Sequence, residues 1–190
     1  MIKPSHSKFQ ASAVIAFSAI ALLTTSLPSH AASIVFNISA NGFKEVNAAG
    51  TPNQGDPDGT AIGTLKLDNG TGAGTTGSAT ITLTLANIDL TTLSGNHLHQ
   101  APSTTIGSIV LDFGDPDNYR IGSVLSGTVT GLSATVITSV LANPTAFYYN
   151  LHNDAFPSGA VRDQLPVPEP GCFGLIALGA MALAARRRRA

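Results

Sequence analysis

Three histidines are the residues of this sequence whose type and spacing point most directly to chemistry. His97 and His99 stand two apart, and His152 follows later in the chain. Residues two apart on a β-strand project from the same face, so His97 and His99 should present their imidazoles together. A second strand ending at His152 would complete a three-imidazole cluster, as in many zinc and copper sites. The alternative is that the rings hydrogen-bond buried backbone groups.

The ligand types in the central part of the chain limit its metal chemistry. The single cysteine, Cys172, and both methionines, Met1 and Met181, lie in the end segments. The central part of the chain therefore cannot form blue-copper sites, cysteine-based zinc sites or disulfides, and it cannot carry out thiol catalysis. Three neutral imidazoles suit Cu(II) or Zn(II). A water molecule or Glu45 would take the fourth position.

Short alternating runs separated by Gly, Asn, Asp and Pro indicate an antiparallel β-sandwich or barrel. The clearest run is Thr80–Leu85, which should turn Ile81, Leu83 and Leu85 to the core and its threonines to solvent. Ile109, Leu111 and Phe113 are expected on one face of another strand. Further strands are predicted at 34–39, 61–67, 97–99, 121–130, 147–152 and 161–165.

One segment departs from the β pattern. Apolar residues recur at helical spacing between Ser133 and Ala142, with Ser133 as N-cap and Asn143-Pro144 as the stop, so a short helix is predicted there.

The strand after this helix carries the polar residues nearest to His152. Alternation places Phe147, Tyr149 and Leu151 on one face, and Tyr148, Asn150 and His152 on the other. Asn150 is therefore expected to orient an imidazole ring, while Tyr148 is expected to pack on the sheet. On the last strand, Arg162 should form an ion pair or donate to backbone carbonyls.

The two ends of the chain are typical of export. Lys3 and Lys8 precede the uncharged apolar run Ala11–Leu23, and small residues at Ser29 and Ala31 suit a cleavage site. This is the layout of a secretory signal peptide over residues 1–31. At the other end, apolar residues 171–185 followed by Arg186, Arg187, Arg188 and Arg189 predict a short transmembrane helix whose basic end stays on the cytoplasmic side.

The segment 167–190 resembles the PEP-CTERM sorting signal of Gram-negative bacteria. Its three parts occur in strict order: Pro168-Glu169-Pro170, the apolar helix and the arginine tail. The resemblance implies transient anchoring in the inner membrane, processing by signal peptidase and an exosortase, and release to the cell surface or beyond. Exopolysaccharide and other matrix components are the partners expected of such a protein.

Removal of the ends leaves a single acidic domain at residues 32–166. This segment keeps four of the ten basic and ten of the eleven acidic residues, a net charge of −6. Nucleic-acid binding, which needs a basic surface, is not expected.

Four separated motifs in this segment resemble the CHRD domain, named from chordin. They are Glu45-Val46, His97-Leu98-His99, Asn150-Leu151-His152 and the closing stretch 159–165, which retains Arg162 and Gln164. The family's paired prolines are Asn47-Ala48 here, a Thr after the last His is Asn153, and a Glu of the closing motif is Ala160. This last change puts any role of that Glu in doubt. The resemblance implies an all-β, Greek-key-like sandwich similar to copper/zinc superoxide dismutase, to which the spacing adds the one short helix after Ser133.

Three functions follow as hypotheses. The first is a non-enzymatic surface or matrix module that binds one Cu or Zn ion through His97, His99 and His152, with Asn150, Arg162, Glu45 and Gln164 as supporting residues. The second is a His-ligated redox or hydrolytic metalloenzyme, and the third is a structural matrix protein without metal. Dismutase activity is not predicted, because three histidines are too few for a two-metal site. A Ser-His-Asp hydrolase is not predicted either, because no serine lies in a nucleophile-elbow motif.

Overall fold

A computed structural model describes residues 33–70 and 76–167 of the protein, so the predicted signal peptide and the sorting tail lie outside the described residues. The described parts form nine strands, one α-helix and short 3₁₀ turns. The elements are β1 (Ser33–Asn41), β2 (Thr60–Asp68), β3 (Gly77–Ala86), β4 (Leu93–Gln100), β5 (Ser108–Asp112), β6 (Arg120–Ile121), β7 (Val124–Leu132), α1 (Ala134–Ala142), β8 (Phe147–Asn153) and β9 (Val161–Gln164), with 3₁₀ turns at Gly42–Lys44, Leu90–Thr92, Pro116–Tyr119 and Pro144–Ala146.

The strands form one antiparallel sheet in the order β5-β4-β8-β9-β1-β2-β3-β7-β6. Strands distant in sequence pair at β4–β8, β9–β1 and β3–β7, as the long connections of a Greek-key arrangement require. Side chains from both halves of the sheet, such as Phe36 and Leu65 from one and Leu98 and Tyr149 from the other, share one hydrophobic cluster. The sheet therefore curls around a single core, and the prediction of an all-β antiparallel fold is confirmed.

Local sequence patterns explain the individual elements. Ile81, Leu83 and Leu85 of β3 are buried, and Thr82 and Thr84 between them are exposed. The α1 helix begins after Ser133, whose hydroxyl accepts a hydrogen bond from the Val136 N–H, and it ends before Asn143-Pro144 as predicted. Within the described residues, no helix is long and apolar enough to cross a membrane.

Strand β8 is buried on both faces, and this places the polar residues of interest. Phe147, Tyr149 and Leu151 lie in the hydrophobic core, as alternation predicts. The opposite face is also buried, because segments outside the strands cover it: Glu45 contacts Asn150, Gly107 contacts Tyr148 and Pro157 contacts His152.

A β-bulge in β5 corrects one expectation about the sheet faces. Leu111 pairs with Leu98, but the register shifts before His99, which pairs with Ile109. The extra residue, Val110, packs against the core, whereas Ile109 is 50% exposed beside the histidines. Ile109, Leu111 and Phe113 therefore do not share a face, because a bulge reverses the alternation beyond it.

The packing predicts unequal effects of truncation on the two faces of β2. Leu65 is fully buried, so Leu65→Ala should lower the free energy of unfolding by about 2–5 kcal/mol. Ile62, on the same strand, is 56% exposed, so Ile62→Ala should change it by less than about 1 kcal/mol. Urea denaturation followed by far-UV circular dichroism measures both. Equal losses would contradict the assignment of the faces.

Candidate metal centre

Two paired strands bring the three histidines together. His97 and His99 leave the same face of β4, and β8 runs antiparallel beside it, with His152 opposite Gly95. The ring centroids are 5.6 Å apart for His97–His99, 5.0 Å for His97–His152 and 5.6 Å for His99–His152. One ring nitrogen from each histidine lies within 4.8 Å of the others. The cluster predicted from the two motifs is therefore present.

Gly95 provides the space that this cluster needs. It lies two residues before His97 on the same strand face, directly opposite His152. A Cβ atom at position 95 would collide with the His97 ring. Any larger residue there would displace the imidazole from the cluster.

Backbone carbonyls orient two of the rings. The Nδ1 of His99 lies 3.0 Å from the Gly107 carbonyl oxygen, and the Nδ1 of His152 lies 3.1 Å from that of Pro157. A carbonyl only accepts hydrogen bonds, so each Nδ1 carries the proton and each Nε2 keeps its lone pair. Both Nε2 atoms are buried without a partner in the described structure. The ring orientation thus leaves Nε2 of His99 and His152 available for a metal ion.

His97 is oriented in the opposite sense. Its Nε2 lies 3.5 Å from Oδ1 of Asp112, its cross-strand neighbour on β5, while its Nδ1 is buried without a partner among the described residues. The available atom of His97 is therefore Nδ1. The contact is too long for a strong hydrogen bond, so the Asp112 carboxylate favours a proton on Nε2 through its charge.

The cluster has the donor chemistry of a zinc or copper site. Metal–nitrogen bonds of about 2.1 Å in a tetrahedral site separate the ligand atoms by about 3.4 Å. The limit of 4.8 Å on the nitrogen separations therefore leaves only a modest inward movement for coordination. Within the described residues, this is the group of His, Cys, Asp or Glu side chains that is placed to hold a metal ion.

Burial keeps the three rings in the form that binds metals. Desolvation lowers the pKa of His97 and of His99, and it lowers that of His152 to about 4. Hydrogen bonding to Pro157 only partly opposes this effect at His152. All three imidazoles are therefore neutral at pH 7, as metal ligation requires.

A layered stack supports His99 from behind. The Tyr148 ring lies parallel to the His99 ring, with a centroid separation of 4.9 Å and an interplanar angle of 10°. The guanidinium carbon of Arg162 lies 3.5 Å from the Tyr148 ring centroid. Gly107 ties the stack together, because its N–H donates to the Tyr148 hydroxyl and its carbonyl accepts from His99. Tyr148 thus holds the ligand plane in addition to packing on the sheet.

Glu45, Asn150 and Arg162 form a buried polar network beside the stack. The Asn150 amide donates to Oε2 of Glu45 at 2.9 Å, and Nη1 of Arg162 lies 3.7 Å from Oε1. Arg162 also donates to the Pro102 carbonyl, so it has both kinds of partner predicted for it. Gly159 closes over this network, since a Cβ there would collide with both Glu45 and Asn150.

This network changes two expectations. Asn150 hydrogen-bonds Glu45 rather than an imidazole, and backbone carbonyls orient the rings instead. Glu45 contacts Val46, Asn150 and Arg162 and lies outside the three-histidine group. Desolvation raises the pKa of this fully buried carboxyl. The polar network is thus a structural support for the site.

Gln164 also has a structural position. Its amide nitrogen lies within 2.7–3.0 Å of the carbonyl oxygens of Ala101, Thr145 and Phe147. These contacts fasten the last strand to the loop after β4 and to the start of β8. Gln164 thereby holds in place the start of the loop that leads from β4 to Gly107.

The cluster lies in the wall of a cleft of about 640 Å³. Its other walls include Val46, Ile106, Ile109 and Pro157. This volume is within the usual range for small-molecule sites. An ion held by the histidines would therefore have access to a ligand in the cleft.

Sequence reasoning missed four residues of the site: Gly95, Gly107, Asp112 and Pro157. Two of them act through backbone carbonyls, for which the sequence carries no side-chain signal. Asp112 had one signal, because it lies on the strand predicted after the His-x-His strand. Pairing it with His97, however, requires the register of β4 and β5.

The lowered pKa of His152 predicts that the metal-free protein loses stability in acid. Below pH 6.5 the unfolded chain protonates this histidine, whereas the folded protein keeps it neutral down to about pH 4. The unfolded state then binds more protons, so the free energy of unfolding should fall by up to about 3 kcal/mol between these pH values. Denaturation in urea over this pH range measures the fall.

The variant His152→Asn is the control for this pH dependence. Glu45 has a raised pKa and acts in the opposite direction in both proteins, so the difference between them isolates His152. The variant should show a shallower decline in acid. Identical declines would contradict the assignment to His152.

Two comparisons with family models agree with this architecture. The CHRD domain model matches residues 36–165, and the model of the PEP-CTERM protein-sorting motif matches residues 166–189. No curated protein and no solved structure matches the chain significantly. The sorting motif implies an exported, surface-sorted protein that an exosortase processes. Because the first match covers more than half of the sequence, including all three histidines, the chain belongs to the CHRD domain family.

Proposed function

We propose that this protein is a non-enzymatic surface module that binds one copper or zinc ion through Nδ1 of His97 and Nε2 of His99 and His152. The observation that carries the proposal is that these three nitrogens are buried and unpartnered while the opposite nitrogen of each ring has an outward partner. The rings are thus oriented as ligands before any metal binds. The sorting motif supports a location at the cell surface, and exopolysaccharide and other matrix components are its proposed surroundings.

A water molecule would satisfy this cluster less well than a cation. The three inward nitrogens are all acceptors in the neutral rings, and a water molecule has two hydrogens to donate. A single water molecule would therefore leave one acceptor to be satisfied by further water in the cleft. A single cation satisfies all three lone pairs at once. The shared acceptor character of the three nitrogens therefore favours a cation over a purely structural role.

The ligand chemistry favours Cu(II) or Zn(II). Three imidazoles without a carboxylate or thiolate suit these ions rather than magnesium or calcium, which prefer oxygen ligands. Gly107, Pro157 and Asp112 would hold the ring tautomers, and Tyr148 would hold the His99 plane. With three protein ligands, a bound ion would keep a position for a ligand from the cleft, as catalytic zinc sites do.

This open position favours a second candidate, a redox or hydrolytic metalloenzyme. A bound ion would supply an activated water or a redox centre. Turnover that is lost in His99→Ala and kept in a surface variant such as Thr82→Ala would support it. Thr82 is exposed on β3 and does not line the cleft.

Metal content is the first test of the proposed site. The purified protein, made without an affinity tag and offered copper or zinc separately, should retain about one equivalent after dialysis. The double variant His97→Ala/His99→Ala should retain none, while Thr82→Ala should match the wild type. No metal retained by the folded wild type would contradict the proposal.

The ring nitrogens provide a second readout of the same prediction. In the metal-free protein, ¹⁵N NMR should show protonated Nδ1 for His99 and His152, and protonated Nε2 for His97. Zinc should then shift the three unprotonated nitrogens. Nδ1-protonated His97 would contradict the assigned ligand set.

Asp112 provides a graded test of ligand orientation. Asp112→Asn removes the charge behind His97, so the affinity for zinc should fall by about tenfold without loss of stoichiometry. Asp154→Asn, another exposed carboxylate, should leave the affinity unchanged. Competition with a zinc-binding dye measures both variants. An equal affinity in Asp112→Asn and the wild type would contradict the role of Asp112.

A further inference from the structure

The cleft in front of the three histidines has a distinctive charge pattern. No Lys, Arg, Asp or Glu lines it among the residues that the structure describes. Ile106 and Ile109 contribute apolar surface and are each 50% exposed. An acidic domain thus presents an uncharged cleft at its candidate metal centre.

The remaining cleft residues offer both donors and acceptors. Oδ1 of Asn47 accepts from two backbone N–H groups of its own turn, which leaves its Nδ2 donor. The Gln54 amide nitrogen donates to Pro52, which leaves its Oε1 acceptor. Ser94 and Ser158 add exposed hydroxyls that both donate and accept. The lining thus combines neutral hydrogen-bonding groups with an aliphatic wall.

We propose that this cleft binds a neutral carbohydrate. Its hydroxyl groups would bond Asn47, Gln54, Ser94 and Ser158, and a C–H face of the sugar ring would pack on Ile106 and Ile109. The inference rests on the proposed metal site, because the open coordination position would accept one hydroxyl oxygen of the same ligand.

Charge separates this ligand class from its competitors. No Lys or Arg among the described residues lines the cleft to pair with an acidic glycan or a phosphate, and the net charge of −6 opposes the approach of either, so only the bound ion would attract such a ligand. The absence of a lining carboxylate and the charge of a bound metal ion disfavour cationic ligands. Purely apolar ligands would leave the amides and hydroxyls without partners.

An extended peptide is disfavoured by the backbone of the cleft. Peptide recognition commonly uses free main-chain groups of a sheet edge. Here β4, which carries two of the histidines, is paired on both sides, with β5 and β8, and among the described strands β5 alone has a free edge beside the cleft. The N–H and carbonyl of Gly107 are already bonded to Tyr148 and His99. Side-chain amides and hydroxyls are therefore the recognition groups nearest to the histidines, and a peptide that uses the β5 edge is the competitor that the titration tests.

The test is a titration of the zinc-loaded protein, with zinc content measured first. Maltose, cellobiose and lactose are the neutral probes, digalacturonate is the acidic probe, and trialanine is the peptide probe. Isoleucine methyl NMR follows binding at Ile106 and Ile109. At least one neutral disaccharide should shift both methyl signals saturably, and the other two probes should not.

Matched variants locate the binding surface. Ile109→Glu should weaken disaccharide binding by about tenfold, because it places a charge against the sugar. Ile62→Glu changes an isoleucine of similar exposure on β2 and should have no effect. Gln54→Leu, in an exposed loop, is a second variant that should weaken binding if Ile109→Glu fails to fold.

The outcomes separate this proposal from the metal site. Retained zinc without disaccharide binding overturns the carbohydrate proposal alone. Equal or tighter binding of digalacturonate or trialanine overturns it in favour of an acidic glycan or a peptide. A folded protein that retains neither zinc nor copper overturns both proposals.

Discussion

The site depends on the different roles of the two nitrogens of each imidazole. One nitrogen faces outward to the Gly107 carbonyl, the Pro157 carbonyl or the Asp112 carboxylate, and the other is buried inside the cluster. The outward partner determines which nitrogen keeps its lone pair. Without it, a ring could rotate or change tautomer and turn an N–H toward the centre. The loops that supply these partners are therefore as much a part of the site as the strands.

The segments outside the strands have a second role, because they cover the polar outer face of β8. On an ordinary sandwich, the outer face of a strand is exposed to solvent. In β8 the three side chains of this face, Tyr148, Asn150 and His152, are all buried. Burial of such groups is costly unless each one has a partner. Glu45 and Arg162 supply partners for this face, and Arg162 reaches His99 through the Tyr148 ring. The network that satisfies β8 thus also rigidifies the His99 imidazole.

The parts of this structure that follow from local patterns could be predicted. Alternation in β3 and β8 and the capped helix after Ser133 depend on periodicity or capping. The histidine cluster is predicted from residue types and the His-x-His spacing, and its formation depends on the pairing of β4 with β8. The bulge at Val110 could not be predicted, because it arises from pairing between strands. The pairing of Asn150 with Glu45 was also out of reach, because the partners come from distant segments. The carbonyls of Gly107 and Pro157 have no side-chain signature at all.

The structural and the metal-binding interpretations of the histidines are therefore not exclusive. Each of His99 and His152 already hydrogen-bonds a backbone carbonyl, which is the structural role. That bond uses one ring nitrogen. The other is a buried acceptor that lies near the acceptor nitrogens of the neighbouring histidines. A packing role alone would be served by a side chain without the second nitrogen, whereas three such nitrogens facing one another are what a cation requires. The hydrogen bonds that stabilise the fold are thus also the ones that prepare the ligands.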